Sequence, residues 1–211
     1  MRRRLLRLLC FLLVWLWVSQ TLWAHRETRL LPDQPEASCQ SLLPLGITCE
    51  ERLSQPRALI PLQPGDLLVT FSTHTLGWRH GHAALVIDSE TVLEASMPGV
   101  PSGLAPADSW GTYSTLMVLR VRDSTPEQRS RVAAFALQHL SDLPYSFFAG
   151  LGSQKMPEPP PSSVQCAYLP WYAWVSQGID LDSDGGRLVT VADLAASPLL
   201  ETVQVWGINL T

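Results

Sequence analysis

The fold is decided by residues 159–174, which read PPPSSVQCAYLPWYAW. A proline-rich lead, two serines, a cysteine and an aromatic run in this order predict a loop that enters a helix. Ser162 or Ser163 is the N-cap in this prediction, and Cys166 then lies in the first helical turn. The helix extends to just before Gly178, which terminates it.

Cys166 is either a small buried apolar residue or a nucleophile. A thiol is nucleophilic only as the thiolate, and the unpaired N–H groups of a helix N-terminus stabilise that anion. Pro170 lacks the N–H that would bond the carbonyl of Cys166. Two alternatives follow for this proline: the helix kinks just after the cysteine, or a short turn ends there and a second helix starts near residue 171.

The remaining periodicity predicts an α+β protein with a small, mainly antiparallel sheet. Apolar runs predict strands at 67–71, 82–88, 91–96, 115–121, 187–190 and 201–208. Thr125 as N-cap, Pro126 at the first position and Gln128 three residues after the cap predict a helix over 124–140. Residues 191–197 predict a short helical turn. The polar stretch 72–81 and the stretch 97–113, with three prolines and three glycines, predict loops.

Length and charge restrict the function. The chain has 211 residues, of which 46% are hydrophobic, so one packed domain is expected. Residues 1–24 carry four arginines and no acids, so a chain of net charge −4 leaves −8 on the remainder. This acidic balance argues against a nucleic-acid partner and gives no reason for adhesion to anionic lipid.

Residues 1–24 have the pattern of a secretory signal, with basic residues followed by an apolar run of 11 residues from Leu8 to Val18. The predicted cut follows Ala24, although Leu22 stands where a small residue is preferred. If the segment is not cut, residues 5–18 anchor the chain in the membrane. Either outcome exports the chain, and the periplasm of a bacterium is the expected location.

The cysteines outside the signal are Cys39, Cys49 and Cys166. In an oxidising compartment Cys39 and Cys49, ten positions apart, are candidates for a disulfide. They lie in 25–61, which shows little periodicity and predicts an irregular N-terminal extension; residues 62–211 then form the catalytic domain. The third thiol is left over, and an odd thiol in an exported protein is a candidate reactive group.

A cysteine nucleophile needs a base, and His82 is the best candidate among five histidines. It opens the apolar run GHAALVID, where a polar residue is out of pattern; the alternative is a histidine at a strand end that faces solvent. His25, at the presumed cleavage point, and His139, at the polar end of the helix, are expected to be bystanders.

Glu94 is the candidate third group that orients the base. A two-residue turn at Ser89 and Glu90 would place Glu94 opposite Leu85, on the face away from His82. A three-residue loop would pair it with residue 84 and place it diagonal to the histidine. The sequence leaves both registers open.

Two metal patterns are weaker alternatives. His74, His80 and His82 with Cys166 are a possible zinc set, but neither an HExxH nor a paired CxxC pattern accompanies them. Residues 180–186, DLDSDGG, imitate the first half of a calcium loop, but Val191 stands where a bidentate Glu is required. An acidic turn is the favoured interpretation, and neither a metal nor a cofactor is predicted.

The order GDLLVTFS, GHAALVID, VLEAS, LPYSFF, VQCAYLPWYAWVSQGI and TVADLAASPLLETV resembles the YiiX/YebB-like group of circularly permuted papain-fold proteins, relatives of NlpC-type cell-wall peptidases. The resemblance spans residues 62–206. It implies a permuted papain-like core with Cys166 as nucleophile, His82 as base and Glu94 as third residue. One departure is Cys-Ala-Tyr at 166–168, where members of the group often have Cys-Ser-Glu.

These inferences together predict an exported cysteine hydrolase that cleaves amide bonds through an acyl-enzyme intermediate. The resemblance implies peptidoglycan peptides as substrates. An acyl-lipid thioesterase or acyltransferase is one alternative, and a non-catalytic binding module on the same fold is another. Contact with a membrane is expected only through an uncleaved N-terminal segment, and the oligomeric state is left open.

Overall fold

The computed structural model describes residues 36–41, 48–76, 78–150 and 160–208, and the predicted signal segment 1–24 lies outside them. The strands are β1 (Ala37–Ser41), β2 (Thr48–Leu53), β3 (Leu67–Thr70), β4 (Thr73–Thr75), β5 (Trp78–Arg79), β6 (His82–Val86), β7 (Thr91–Glu94), β8 (Gly103–Pro106), β9 (Leu116–Val121) and β10 (Leu200–Trp206). The helices are a 3₁₀ helix (Ala107–Thr112), α1 (Pro126–His139), α2 (Tyr168–Val175) and α3 (Val191–Ala196).

The strands form two antiparallel sheets. The larger has the order β10-β9-β3-β6-β7-β8, and the smaller has the order β1-β2-β4-β5. Antiparallel sheets combined with a few separate helices make an α+β protein, as the sequence predicted in this broad form. Strand β2 pairs with β4, so the region before residue 62 is joined to the later chain by sheet hydrogen bonds.

Both faces of the larger sheet are covered. Side chains alternate between faces along a strand, so Leu67 and Val69 of β3 join the cluster that contains α2, while Leu68 joins a second cluster on the opposite face. The second cluster includes Trp110 of the 3₁₀ helix and Trp206 of β10. The central strands β3, β6 and β9 are therefore buried on both sides and consist of nearly continuous apolar residues.

Helix α1 begins as predicted. The Thr125 hydroxyl accepts a hydrogen bond from the N–H of Gln128, and Pro126 occupies the first turn. Helix α3 begins with a capping box, in which Thr190 and Asp193 each bond the backbone N–H of the other. This box explains why residues 187–190, predicted as a strand, are not one: Thr190 serves as the cap of the helix instead.

Three further regions differ from the predictions. The N-terminal extension contains β1 and β2 and is not irregular, and the predicted loop 72–81 contains the hairpin of β4 and β5. The predicted loop 97–113 contains β8 and the 3₁₀ helix. Strands β1, β2, β4 and β5 are two to six residues long and rich in polar residues, and β8 contains a glycine and a proline, so none shows the apolar alternation by which strands are recognised.

The predicted disulfide between Cys39 and Cys49 is present, and it joins β1 to β2 with a Cα–Cα distance of 5.6 Å. Such a bond is consistent with an oxidising compartment. Within the described ranges, no helix has the length and the apolar character needed to cross a membrane.

A buried ion pair fixes the start of the central strand β3. Asp66 is fully buried, and its carboxylate accepts two hydrogen bonds from the Arg120 guanidinium of β9, at 2.8 and 2.7 Å. The same carboxylate accepts the N–H of Gln63 at 2.8 Å and so closes the turn before the strand. The bidentate geometry gives the pair directional specificity as well as charge neutralisation.

Replacing Arg120 by Leu is expected to lower the free energy of unfolding by about 3 kcal/mol, because a buried carboxylate is left without its cation. Urea unfolding at neutral pH measures the change. Arg122→Leu, at an exposed position just after β9, is the matched control and is expected to change the unfolding free energy by less than about 0.5 kcal/mol. Equal effects of the two substitutions would contradict a special role for the Asp66 pair.

Candidate functional site

Cys166 lies in the turn that leads into α2, and its thiol is free and partly exposed. The chain before it is held against residues 144–146. Val164 makes an isolated parallel bridge to Tyr145; its N–H donates to the carbonyl of Pro144, and its carbonyl accepts the N–H of Ser146. The position of the thiol is therefore fixed from both sides, by this bridge and by the helix.

Gln165 caps the helix that follows the thiol. Its Oε1 accepts the N–H of Ala167 at 2.8 Å and lies 3.6 Å from the Sγ of Cys166, while its Nε2 donates to the carbonyl of Val189 at 2.7 Å. Its own carbonyl accepts the N–H of Leu169 at 3.1 Å, an i to i+4 helical bond. The helical turn therefore starts at the cysteine, with the buried carboxamide of Gln165 as its cap.

The predicted serine caps are wrong in this respect, because Ser162 and Ser163 precede the Val164 bridge and the cap is Gln165. A glutamine has one more methylene than the usual capping residues, so the propensity rule did not select it. The C-terminus agrees with the prediction. Gly178 has φ of +83° and, with the next residue, closes the helix by the paired bonds of a Schellman motif.

Helix α2 is continuous through Pro170, so the alternative of two helices is wrong. Hydrogen bonds on both sides of the proline are kept, from Leu169 to Gln165 at 3.1 Å and from Trp171 to Ala167 at 3.3 Å. Between them, the carbonyl of Cys166 has no i+4 donor, because proline has no N–H.

His82 is the first residue of β6, so the site lies at one end of the larger sheet. The histidine is 5% exposed, and its Nε2 lies 3.0 Å from Oε2 of Glu94. The Cys166 side chain also acts on the imidazole. The ring is therefore influenced by both the cysteine and the carboxylate.

The β6–β7 register decides that Glu94 can reach the histidine. Ala84 pairs with Glu94 and Val86 with Val92, and the N–H of Ile87 bonds the carbonyl of Thr91, so three residues form the loop. This is the alternative that places Glu94 diagonal to His82 on one face. Strand register thus brings together two of the three predicted site residues.

The charges of the site favour a protonated imidazole. Burial lowers the pKa of His82, but the hydrogen bonds with Cys166 and Glu94 and the negative charges of both partners raise it, and the net result is a pKa of about 10. At neutral pH the imidazole is therefore protonated and faces the Glu94 carboxylate. The stabilisation from this raised pKa is fully present below about pH 6.5 and is lost as the pH rises towards 10.

Glu94 keeps its negative charge although it is largely buried. Burial raises its pKa, but the hydrogen bond and charge of His82 lower it, as do the charge of Arg52 and a hydrogen bond from Trp110, so that the pKa lies below its usual range. Trp110 also stacks on the His82 ring, with centroids 5.1 Å apart and planes 17° apart. The sequence did not predict that Arg52 or Trp110 acts on the His82–Glu94 pair.

Tyr145 is a further neighbour that the sequence analysis left without a role. Burial and the negative charge of Cys166 raise the pKa of its hydroxyl, so the phenol stays protonated beside the thiol. Its ring also meets Phe147 edge-on at 5.1 Å. The only signal for it in the sequence is a polar-tipped aromatic at the start of the run PYSFF, and that signal is weak.

The other histidines have different surroundings. His74 lies 3.5 Å from Glu51, and the His80 ring bonds Thr75 and the carbonyl of Gly81. Among the described residues, these rings do not gather around Cys166 in a group that could hold a metal ion, so the zinc alternative has no support. The His139 ring contacts Phe135 at an angle of 41°, with centroids 4.7 Å apart, and His25 lies outside the described residues.

Two side chains of the acidic turn, Asp182 and Asp184, form a cluster of carboxylates with Asp193. Oxygen atoms of Asp182, Asp184 and Asp193 lie within 4.8 Å of one another. Asp193 already accepts the N–H and the hydroxyl of Thr190, and Asp184 accepts the N–H of Gly186 at 2.6 Å. The turn is therefore ordered by its own backbone, as expected for an acidic turn.

One solved structure has a fold similar to this one. No family model matches the sequence, and no curated protein matches it. The crystal structure of the metalloprotein yiiX from Escherichia coli O157:H7 aligns with a TM-score of 0.50 and 17% sequence identity, over 69% of this chain and 98% of that chain. At this identity the likeness concerns the fold alone, and it agrees with the YiiX-like group named from the sequence.

Glu94→Gln is expected to lower the pKa of His82 towards the ordinary value of about 6.5, because the neutral amide removes one of the two negative charges that hold the proton. NMR titration of histidine-labelled protein measures the midpoint. In the unsubstituted chain the His82 signal is expected to stay constant between pH 5 and pH 8. A midpoint near 6.5 in that chain would show that the ion pair does not form.

Proposed function

We propose that the chain is an exported cysteine hydrolase with a circularly permuted papain-like (NlpC-type) fold. One observation carries the proposal: the His82 imidazole bonds the Glu94 carboxylate, with Nε2 3.0 Å from Oε2, and Cys166 acts on the same ring. A nucleophile next to a base that is oriented by a third group is the arrangement of covalent acyl transfer.

In the proposed reaction the Cys166 thiolate attacks the substrate carbonyl carbon, and the carbonyl oxygen takes the negative charge. The carbon–nitrogen bond then breaks, and the leaving amine receives the proton from the His82 imidazolium. Water attacks the resulting thioester while His82 takes its proton, which releases the acid and restores the ion pair. Glu94 keeps the ring oriented and stabilises its charged form.

The Gln165 cap limits which N–H groups of the first helical turn can donate a hydrogen bond to the oxyanion. The Ala167 N–H is occupied by Gln165, so this group of the first turn is not available to a substrate without displacing the carboxamide. The Tyr145 hydroxyl keeps its proton because its pKa is raised, and it lies close enough to feel the charge of Cys166. We propose it as a donor to the oxyanion.

The favoured substrate class, peptide amides of the cell wall, comes from the resemblance of the sequence to cell-wall peptidases. A second candidate is favoured by a surface beside the site. Phe147 and Phe148 are 61% and 71% exposed, and Phe147 packs on Tyr145. A pocket of about 280 Å³ is lined partly by Tyr145, Val100 and Pro101. This apolar surface suits an acyl chain, and a lipid-directed thioesterase or acyltransferase is therefore the alternative.

The description of yiiX as a metalloprotein raises the question of a metal in this chain. The carboxylates of Asp182, Asp184 and Asp193 are oxygen donors of the kind that suits hard cations such as Ca²⁺. Each is partly engaged by hydrogen bonds of its own turn, and no step of the proposed thiol reaction uses them.

Cys166 is expected to react with iodoacetamide at pH 6 almost as fast as at pH 8. An ordinary thiol, with a pKa of about 8.5, is under roughly 1% thiolate at pH 6. His82→Ala removes the counter-charge and is expected to slow the reaction at pH 6 by at least about tenfold. Mass spectrometry of the alkylated peptide gives the rate.

His139→Ala is the matched control, a histidine remote from the thiol, and is expected to leave the rate unchanged. If Cys166 alkylates no faster than a free cysteine at pH 6, and His82→Ala has no effect, the chain is a binding module on this fold and not a thiol enzyme.

Turnover assays distinguish the two substrate classes. The proposal expects release of amines from muropeptides that is abolished in Cys166→Ser. An acyl-lipid enzyme would instead hydrolyse p-nitrophenyl esters faster as the acyl chain lengthens. In that case Phe147→Ser is expected to slow the longest ester about tenfold, since contact with one aromatic ring contributes roughly 1.5–3 kcal/mol. Leu199→Ser, at another exposed apolar position, is the control.

A further inference from the structure

Trp110 contacts the His82–Glu94 pair and is itself held in place by a second group of residues. Trp110 is 1% exposed; its ring stacks on the imidazole, and its indole N–H hydrogen-bonds the carboxylate. A single side chain thus limits both the tilt of the base and the position of its acidic partner. Aromatic faces also attract a cation, so the stacking favours the imidazolium form.

Trp110 belongs to a 3₁₀ helix of six residues, Ala107–Thr112, which is long for this geometry and has poor internal hydrogen bonds. Its N-cap Pro106 makes no side-chain capping bond. The orientation of Trp110 therefore depends on contacts from outside the helix.

Strand β2 supplies these contacts from the region before residue 62. Nη1 of Arg52 donates to the carbonyl of Ser109 at 3.1 Å and to the hydroxyl of Thr112 at 2.5 Å. The guanidinium carbon lies 3.6 Å from the centroid of the Tyr113 ring, which in turn meets Trp110 edge-on at 5.1 Å. Arg52 thus holds the last turn of the helix and the residue after it.

The rest of β2 holds Arg52 in place. Oε2 of Glu50 accepts Nε and Nη2 of Arg52 at 3.1 and 2.7 Å, and Oε1 accepts the Tyr113 hydroxyl at 3.2 Å. Glu51 binds the N–H and the hydroxyl of Ser114, each at 3.0 Å. The Arg52 guanidinium therefore donates through Nε and Nη2 to Glu50 and through Nη1 to the 3₁₀ helix. The planar, forked set of donors that allows this is a property of Arg and not of Lys.

We propose that Arg52 is a positioning residue of the site: from β2 it fixes the 3₁₀ helix so that Trp110 holds His82 and Glu94 in line with Cys166. The proposal rests on the proposed thiol chemistry. It also extends the functional unit back to β2, across the boundary expected at residue 62. Glu94 and Cys166 are the titratable groups that act on His82. The positive charge of Arg52 acts on Glu94 in turn and lowers the pKa of its carboxyl.

The test compares alkylation of Cys166 by iodoacetamide at pH 6 and at pH 9. Only the rate at pH 6 depends on the ion pair with His82, because an ordinary thiol is largely ionised at pH 9. Arg52→Gln and Trp110→Phe are expected to lower the pH 6 to pH 9 rate ratio about tenfold, the effect of losing one hydrogen bond to a charged group. Arg52→Lys is expected to recover part of it.

Arg57→Gln is the matched control, since Arg57 lies in the same region but places its guanidinium over Trp206, 5.7 Å from the ring centroid. A purely structural role of Arg52 would lower the melting temperature and leave the rate ratio as in the unsubstituted chain, and that result would overturn the proposal. If Arg52→Gln does not fold, Trp110→Phe decides by the same ratio. A low ratio already in the unsubstituted chain, unaffected by His82→Ala, would instead show that the proposed function is wrong.

Discussion

The register between β6 and β7 is the constraint on which the site depends. A shift of one residue would turn Glu94 to the other face of the sheet and leave a buried imidazole without its carboxylate. The register is itself over-determined, because Ala84, Val86 and Val92 are fully buried on one face and Leu85 and Leu93 on the other. Apolar packing of the hairpin therefore fixes an electrostatic arrangement at its end.

Four groups that can carry charge influence one another in sequence from β2 to the thiol. Arg52, Glu94, His82 and Cys166 alternate in sign when the thiol is ionised, and each charge lowers the cost of burying its neighbour. Most of these groups are shielded from water, so their mutual attraction is screened little by salt. The disulfide between Cys39 and Cys49 contributes indirectly, since it ties to β1 the strand that carries the outermost charge.

Local rules predicted the parts of this structure that are locally determined. The Thr125 cap, the strands at β3, β6, β7, β9 and β10, the Gly178 terminator and the disulfide follow from spacing and residue type. His82 was found because a polar residue broke an apolar pattern. Arg52, Gln165 and Tyr145 were not identified for the opposite reason: each lies in a pattern where its residue type is unremarkable. The positions of Arg52 and Tyr145 result from pairings with residues distant in the chain, which a single sequence does not encode in a readable period.

Pro170 affects the mechanics of the turn that holds the thiol. Helix α2 is buried along its whole length, so its side chains leave little room for movement. Within the turn, however, the peptide unit that carries the Cys166 carbonyl is not tied to the next turn of the helix. It can tilt without breaking a helical hydrogen bond. The nucleophile is thus joined to a rigidly packed helix through one peptide unit that can tilt. When the sulfur changes from anion to thioester, it can therefore adjust its position while the packing around the helix stays fixed.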